Sequence, residues 1–238
     1  NKFMKNINRK NQLYFDFGRD YKANLDNFFF SSKNKVLKSE LNEIIEGSIS
    51  QKLFITANKA DGKTFLLNSF LNHIKNKELQ SIYIDVSSLK GNENHLEGLS
   101  SFDLVCLDNV HTIAEDLEIQ IFNLINECKT TSTNLICASN KNPNELSYLP
   151  DLISRFNEFK RCRINPIDDD DVIGCMEFVT NKLDLDFSKE VIEFIALRTR
   201  RDFFSIKKTL QDFDKFLYSE KKQPTKMSAA SFLKSYLN

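Results

Sequence analysis

The strongest constraint in this chain is an alternation. Short apolar runs, Leu53-Phe54-Ile55, Ile82-Tyr83-Ile84-Asp85-Val86, Leu104-Val105-Cys106-Leu107 and Leu135-Ile136-Cys137-Ala138, are separated by segments with helical spacing. Such runs show no polar alternation, so they suit strands buried on both faces. Strands that alternate with helices predict a parallel sheet with helices on either side. Thr64 to Ile74 and Leu117 to Cys128 read as covering helices, and Arg161 to Ile164 as a fifth strand. An earlier helix presents Val36, Leu37, Leu41, Ile44 and Ile45 at helical spacing.

The pattern changes at Pro166. Asp168 to Asp171 form an acidic start suited to a helix N-terminus. Three or four helices follow without a clear strand, and Phe203, Ile206, Leu210, Phe213 and Leu217 mark an apolar stripe. The expected organisation is a polar tail over 1–19, an α/β core over 20–165 and a helical lobe over 166–238. The tail holds one apolar island, Gln12-Leu13-Tyr14-Phe15-Asp16-Phe17.

Charge and cysteine content exclude several classes. Lys plus Arg number 33 and Asp plus Glu 33, so no global field attracts a polyanion; a local basic patch stays open, although a dedicated DNA binder usually shows its bias in the totals. No apolar run approaches the roughly 18 residues of a membrane span, and the basic, polar start argues against a secretory signal. Cys106, Cys128, Cys137, Cys162 and Cys175 form no C-x-x-C pair. They read as small core side chains in a reducing compartment, which points to the cytoplasm.

Two segments carry chemistry. The strand Leu53-Phe54-Ile55 runs into Ala57-Asn58-Lys59-Ala60-Asp61-Gly62-Lys63-Thr64 and then an apolar helix. This is the strand–loop–helix context of a phosphate loop, in which backbone N–H groups cradle phosphates. Lys63 would reach the β/γ oxygens and the Thr64 hydroxyl would ligate Mg²⁺. The first glycine of the usual pattern is Ala57 here, and alanine disfavours positive φ. About 45 residues later, Leu104-Val105-Cys106-Leu107-Asp108 ends a buried run on an acid, the position of a Mg²⁺-holding carboxylate. A lone Gly-Lys-Thr is common, and a lone Asp can cap a loop; the two motifs in order support each other. Position 109 is Asn109, whose amide cannot act as a general base. His111, two residues on, is a possible substitute.

The phrases Leu104 to Val110 (L-V-C-L-D-N-V), Leu149 to Phe156 (L-P-D-L-I-S-R-F) and Ile164 to Asp171 (I-N-P-I-D-D-D-D) make the chain resemble the DnaA-related AAA+ proteins. Leu-Asp-Asn and Ala57 fit the Hda branch of that family, which inactivates the initiator. The resemblance implies a five-stranded parallel AAA+ core followed by an all-helical lid. It implies ADP or ATP with Mg²⁺, held by Asn27, Phe28, Ala60, Asp61, Gly62, Lys63, Thr64, Phe65, Asp108, Asn140 and Arg201. Thr64 and Asp108 would hold the Mg²⁺. Arg155 matches an arginine finger acting in trans on a DnaA-type initiator. Arg201 matches the lid arginine that reaches bound phosphates, with Arg200 as the adjacent alternative. Gln12, Leu13, Phe15 and Phe17 match a peptide that docks on the DNA polymerase III sliding clamp.

Each residue also has a plainer role. Arg155 could be a surface arginine, Arg201 a helix cap, Phe28 core, and residues 12–17 an internal staple. The chain ends at Asn238 without a helix-turn-helix domain, so direct sequence-specific DNA binding is not expected. Weak or no intrinsic ATPase activity is expected, and self-association is left open. The alternative is a replication adaptor or helicase loader with its own slow ATP turnover.

Overall fold

The computed structural model describes residues 19–47, 50–59, 61–75, 79–89 and 94–236. Two compact units emerge. The first combines Val36–Ile164 with the described residues up to Phe28, and the second combines Phe29–Lys35 with the chain from Asn165 onward. The segment Phe29–Lys35 therefore packs with the helical lobe that follows it far along the chain.

The first unit is built on strands β1 (Lys52–Thr56), β2 (Ser81–Asp85), β3 (Leu104–Asp108), β4 (Asn134–Ser139) and β5 (Lys160–Arg163). All pair in parallel, in the order β2-β3-β4-β1-β5, so the expected five-stranded parallel sheet is present. Every residue of β3 is buried, as its unbroken apolar run requires. Four helices accompany the sheet: α1 (Lys35–Glu46), α2 (Lys63–Ile74), α3 (Glu115–Thr130) and α4 (Pro150–Asn157).

The two-residue period of the strands divides the core. Phe54, Ile82, Ile84, Val105, Leu107, Leu135 and Cys137 share one cluster with Leu117, Ile121, Leu124 and Ile125 of α3 and with Leu152 and Phe156 of α4. The intervening Leu53, Ile55, Tyr83, Cys106 and Ile136 therefore point to the opposite face, and α2 packs along β2, β3 and β4. Phe54 and Phe156 meet edge to face with centroids 5.2 Å apart. Burying each such side chain contributes roughly 1.5–3 kcal/mol. One position departs from the sequence reading. Val36 is 64% exposed, while Leu37, Leu41 and Ile44 form the buried stripe of α1. A single residue step turns a helix by about 100°, which carries Val36 off that face.

The second unit contains α5 (Val172–Lys182), α6 (Lys189–Ala196), α7 (Phe203–Glu220) and α8 (Lys226–Tyr236). The α7 stripe does bury Ile206, Leu210, Phe213 and Leu217 against residues of the other three helices. Phe213 lies between Phe187 and Phe232, with centroids 5.2 and 5.3 Å away. The acidic run before α5 has a different role from simple helix capping. Asp168 Oδ1 accepts the N–H groups of Asp170 and Asp171, both at 3.1 Å. Asp171 precedes α5 without a side-chain cap bond, and its Oδ1 instead accepts from the N–H and hydroxyl of Ser32. Lys33 pairs with Asp168, and Asn34 exchanges hydrogen bonds with Asn165. These polar contacts explain why Phe29–Lys35 belongs to this unit. All five cysteines are buried and unpaired, which agrees with a core role.

Candidate functional site

The C-terminal edge of a parallel sheet is where the loops of an α/β unit gather. Here β1 leads into the loop that starts α2, and β3 ends beside it. Gly62 stands at the start of α2 with φ +86°, a left-handed conformation in which an L side chain is strained. A Cβ there would also meet the Phe28 ring at 3.6 Å. Ala57 is absent from the positive-φ residues, so its methyl group creates no backbone strain. Its N–H continues the ladder to the Ser139 carbonyl at 3.2 Å. The loop thus needs glycine at 62 and tolerates alanine at 57.

Lys63 begins α2 and is only 7% exposed. Its ammonium donates to the carbonyl oxygens of Asn58 at 2.9 Å and Ala57 at 3.3 Å. Burial lowers its pKa, and the charges of Asp108 and Asp61 work against that shift. Asp108 is fully buried at the end of β3. Its Oδ2 accepts from the Thr64 hydroxyl at 2.5 Å and the Tyr83 hydroxyl at 2.9 Å, and its Oδ1 accepts from the Asn109 N–H at 2.8 Å. Three donors thus fix the orientation of this buried carboxylate. The structure therefore brings Lys63, Thr64 and Asp108 together, as the sequence motifs anticipated.

Asn109 adopts φ +58°, ψ +34°, a region asparagine enters more readily than most residues. This turn directs its amide to Asp85 Oδ1 at 3.0 Å. Asp85 lies beside Asp108 because β2 and β3 pair in parallel register. Tyr83 and Asp85 were not singled out by motif reading. Only that register shows that one strand supplies both a donor to Asp108 and an acceptor for Asn109.

His111 and Asn140 form a second pair at this edge. The Asn140 N–H donates to His111 Nδ1 at 3.3 Å, and the Asn140 amide lies 2.8 Å from Nε2. The atom at Nε2 is the Asn140 amide nitrogen, and since a neutral imidazole has one acceptor nitrogen, the tautomer decides which of the two Asn140 contacts is the hydrogen bond. Burial lowers the His111 pKa first, and the Lys63 charge lowers it further. His111 thus sits against Asn140, with both ring nitrogens facing it.

The remaining positions are scattered. Phe28 and Phe65 stack with centroids 6.5 Å apart and planes inclined by 14°, and Asn27 is exposed beside them. Arg155 lies on α4, donates to Glu158 Oε1 at 2.7 Å and rests over the Phe122 ring at 5.5 Å. Lys129 pairs with the same Glu158. In the second unit, Arg201 donates to the carbonyls of Ala196 at 2.5 Å and Thr199 at 2.6 Å, and to Asp169 at 2.8 Å. It therefore caps the end of α6, while Arg200 is exposed. Gln12, Leu13, Phe15, Phe17 and Ala60 lie outside the described residues.

Among the described residues, no group of three or more His, Cys, Asp or Glu side chains could hold a metal by itself. A Mg²⁺ site of the nucleotide kind has a different make-up, one or two protein oxygens completed by phosphates and water. The Thr64 hydroxyl and Asp108 carboxylate fit that donor set. No helix among the described residues is long and apolar enough to cross a membrane.

Comparison with known proteins places this geometry. No family model matches the chain. An uncharacterized protein of Haemophilus influenzae is 29% identical over 198 residues, covering 81% of this chain and 85% of its own. Domain III of the replication initiation protein DnaA from Thermotoga maritima superposes with a TM-score of 0.70 at 20% identity, covering 91% of this chain and 96% of that domain. AMPPCP-bound DnaA from Aquifex aeolicus gives 0.72 at 24% identity, covering 82% of this chain and 66% of its own. The chain spans about two thirds of the longer initiator chains it matches, 65% and 66% in two cases. These likenesses show the fold, which is that of the DnaA structures.

Proposed function

We propose that this chain is a nucleotide-binding regulator of DNA replication initiation. In this reading it holds ADP or ATP with Mg²⁺ and stimulates ATP hydrolysis by a DnaA-type partner through Arg155 in trans. Residues 12–17 would tether it to the sliding clamp. The observation that carries the reading is the convergence of Lys63, Thr64 and Asp108 beside an asparagine that is turned away to Asp85.

The chemistry follows from the donor set. Lys63 and the α2 N-terminus offer positive charge and N–H groups to phosphate oxygens. Thr64 and Asp108 would hold Mg²⁺, which when bound supplies charge neutralisation at the phosphates. Phe28 and Phe65 offer an apolar stack of the kind that suits a base. Asn109 contributes no proton acceptor, which supports binding without fast turnover. Arg155 is the group that would act outward. Its guanidinium would leave Glu158 and meet phosphate charge on a neighbouring ATPase, an effect of about 10³–10⁵ in rate where arginine fingers have been measured. The rival reading, a loader or adaptor with its own slow turnover, needs a base near Lys63. His111 is close enough to Lys63 for their charges to interact, but both its ring nitrogens face Asn140.

The decisive experiment measures ATP hydrolysis by a DnaA-type protein with clamp-loaded DNA, with and without this chain. The expected result is stimulation of about tenfold or more, lost with Arg155→Ala while ADP binding persists. No stimulation by the parent chain, or full stimulation by the variant, would refute the trans role.

A further inference from the structure

The phosphate loop is closed on itself by a carboxylate. An anion-binding loop works by leaving backbone N–H groups and a lysine ammonium free to converge on phosphate oxygens. Here the Asn58 N–H donates to Asp61 Oδ2 at 3.0 Å. Asp61 returns the contact weakly, its own N–H reaching the Asn58 carbonyl at 3.4 Å. That same carbonyl accepts from Lys63 at 2.9 Å. Asp61 immediately precedes Gly62, so its charge sits at the N-terminus of α2. It is also close enough to Lys63 to oppose the effect of burial on the ammonium.

We propose that Asp61 sets the affinity of this site by acting as a resident anion in the phosphate cradle. A polyphosphate must displace its carboxylate from the Asn58 N–H and then tolerate its negative charge nearby. The inference rests on the nucleotide-binding reading and adds a specific consequence. Asp61 penalises the polyphosphate part of a ligand and leaves the nucleoside part untouched. Two like charges about 6 Å apart at an effective dielectric near 40 repel enough to change affinity about tenfold.

Asp61→Asn keeps an oxygen that can accept from Asn58 and removes the charge. Asp61→Ala removes both. Titration calorimetry on the full chain would compare Mg·ADP, inorganic pyrophosphate and adenosine at low and high salt. Both variants should bind ADP and pyrophosphate about tenfold tighter than the parent does at low salt. The gain should shrink at high salt, because screening weakens the repulsion. Adenosine affinity should not change. Unchanged or weaker polyphosphate binding by both variants would overturn the inference, as would equal tightening for adenosine. If neither parent nor variants bind any polyphosphate, the nucleotide reading fails and takes this inference with it. If the parent binds and the variants gain nothing, the reading stands and the role of Asp61 alone is wrong.

Discussion

The sheet edge of the first unit and the α6–α7 connection of the second both gather charged side chains, and they settle them differently. At the sheet edge, Asp108, Thr64, Tyr83 and Lys63 come from three separate elements, and register brings them together. In the α6–α7 connection, Arg201 finds two partners nearby, Ala196 and Thr199, and a third, Asp169, in the segment before α5. Strand ends already have their backbone groups paired, so side chains there can face a ligand. A helix end leaves carbonyls unpaired, and a nearby arginine satisfies them first. The sheet edge therefore holds a cluster drawn from distant elements, whereas the arginine in the connection lies on carbonyls close to it in sequence.

The largest expected effect tests the sheet edge. ADP at 100 times its dissociation constant should stabilise the chain by about 2.7 kcal/mol if it binds only the folded state. Lys63→Ala should abolish most of that gain, with an affinity loss of about 100-fold or more, read by calorimetry and thermal melting. Retention of the gain would place the nucleotide elsewhere and dissolve the contrast.

The next effect concerns the connection. Arg201→Ala removes the side-chain donor from the Thr199 and Ala196 carbonyls, leaving the latter only the Thr199 N–H at 3.4 Å, and should cost about 1–3 kcal/mol in urea unfolding. Its ADP affinity should stay near that of the parent. A large loss of affinity with little loss of stability would show that Arg201 leaves α6 to act on nucleotide. The same measurements on Arg200→Ala would then separate the two arginines.

The smallest effect is a pH slope. Burial and the Lys63 charge hold the His111 pKa below its ordinary value of 6.5. As pH falls below 6.5, the unfolded chain takes up a proton that the folded chain resists, so stability declines toward the lower folded pKa and is flat above 6.5. Replacing His111 with Gln should flatten that slope in urea melts on either side of pH 6.5. An unchanged slope would mean that other groups carry the acid sensitivity.

Much of the fold was legible because strand and helix periods are local. The unbroken run at Leu104–Asp108, the Gly-Lys-Thr turn and the α7 stripe each announce themselves within a few residues. Val36 falls outside the buried stripe of α1 because adjacent apolar residues cannot all share one helix face. Arg201 illustrates a different limit. Its sequence context permits either a phosphate contact or a helix cap, and its guanidinium lies on the Ala196 and Thr199 carbonyls.

The sequence by itself determined the parallel α/β alternation, the Gly-Lys-Thr turn, the acid that ends β3 and the amide at Asn109, because each is written in contiguous residues. Only tertiary structure decided that Tyr83 donates to Asp108, that Asn109 turns to Asp85, that Asp61 closes the loop on Asn58 and that Phe29–Lys35 packs with the later helices. The first, second and fourth depend on segments distant along the chain being brought side by side. The third depends on which way a short side chain turns within a loop. Neither strand register nor rotamer choice has a periodic signature that a sequence can display.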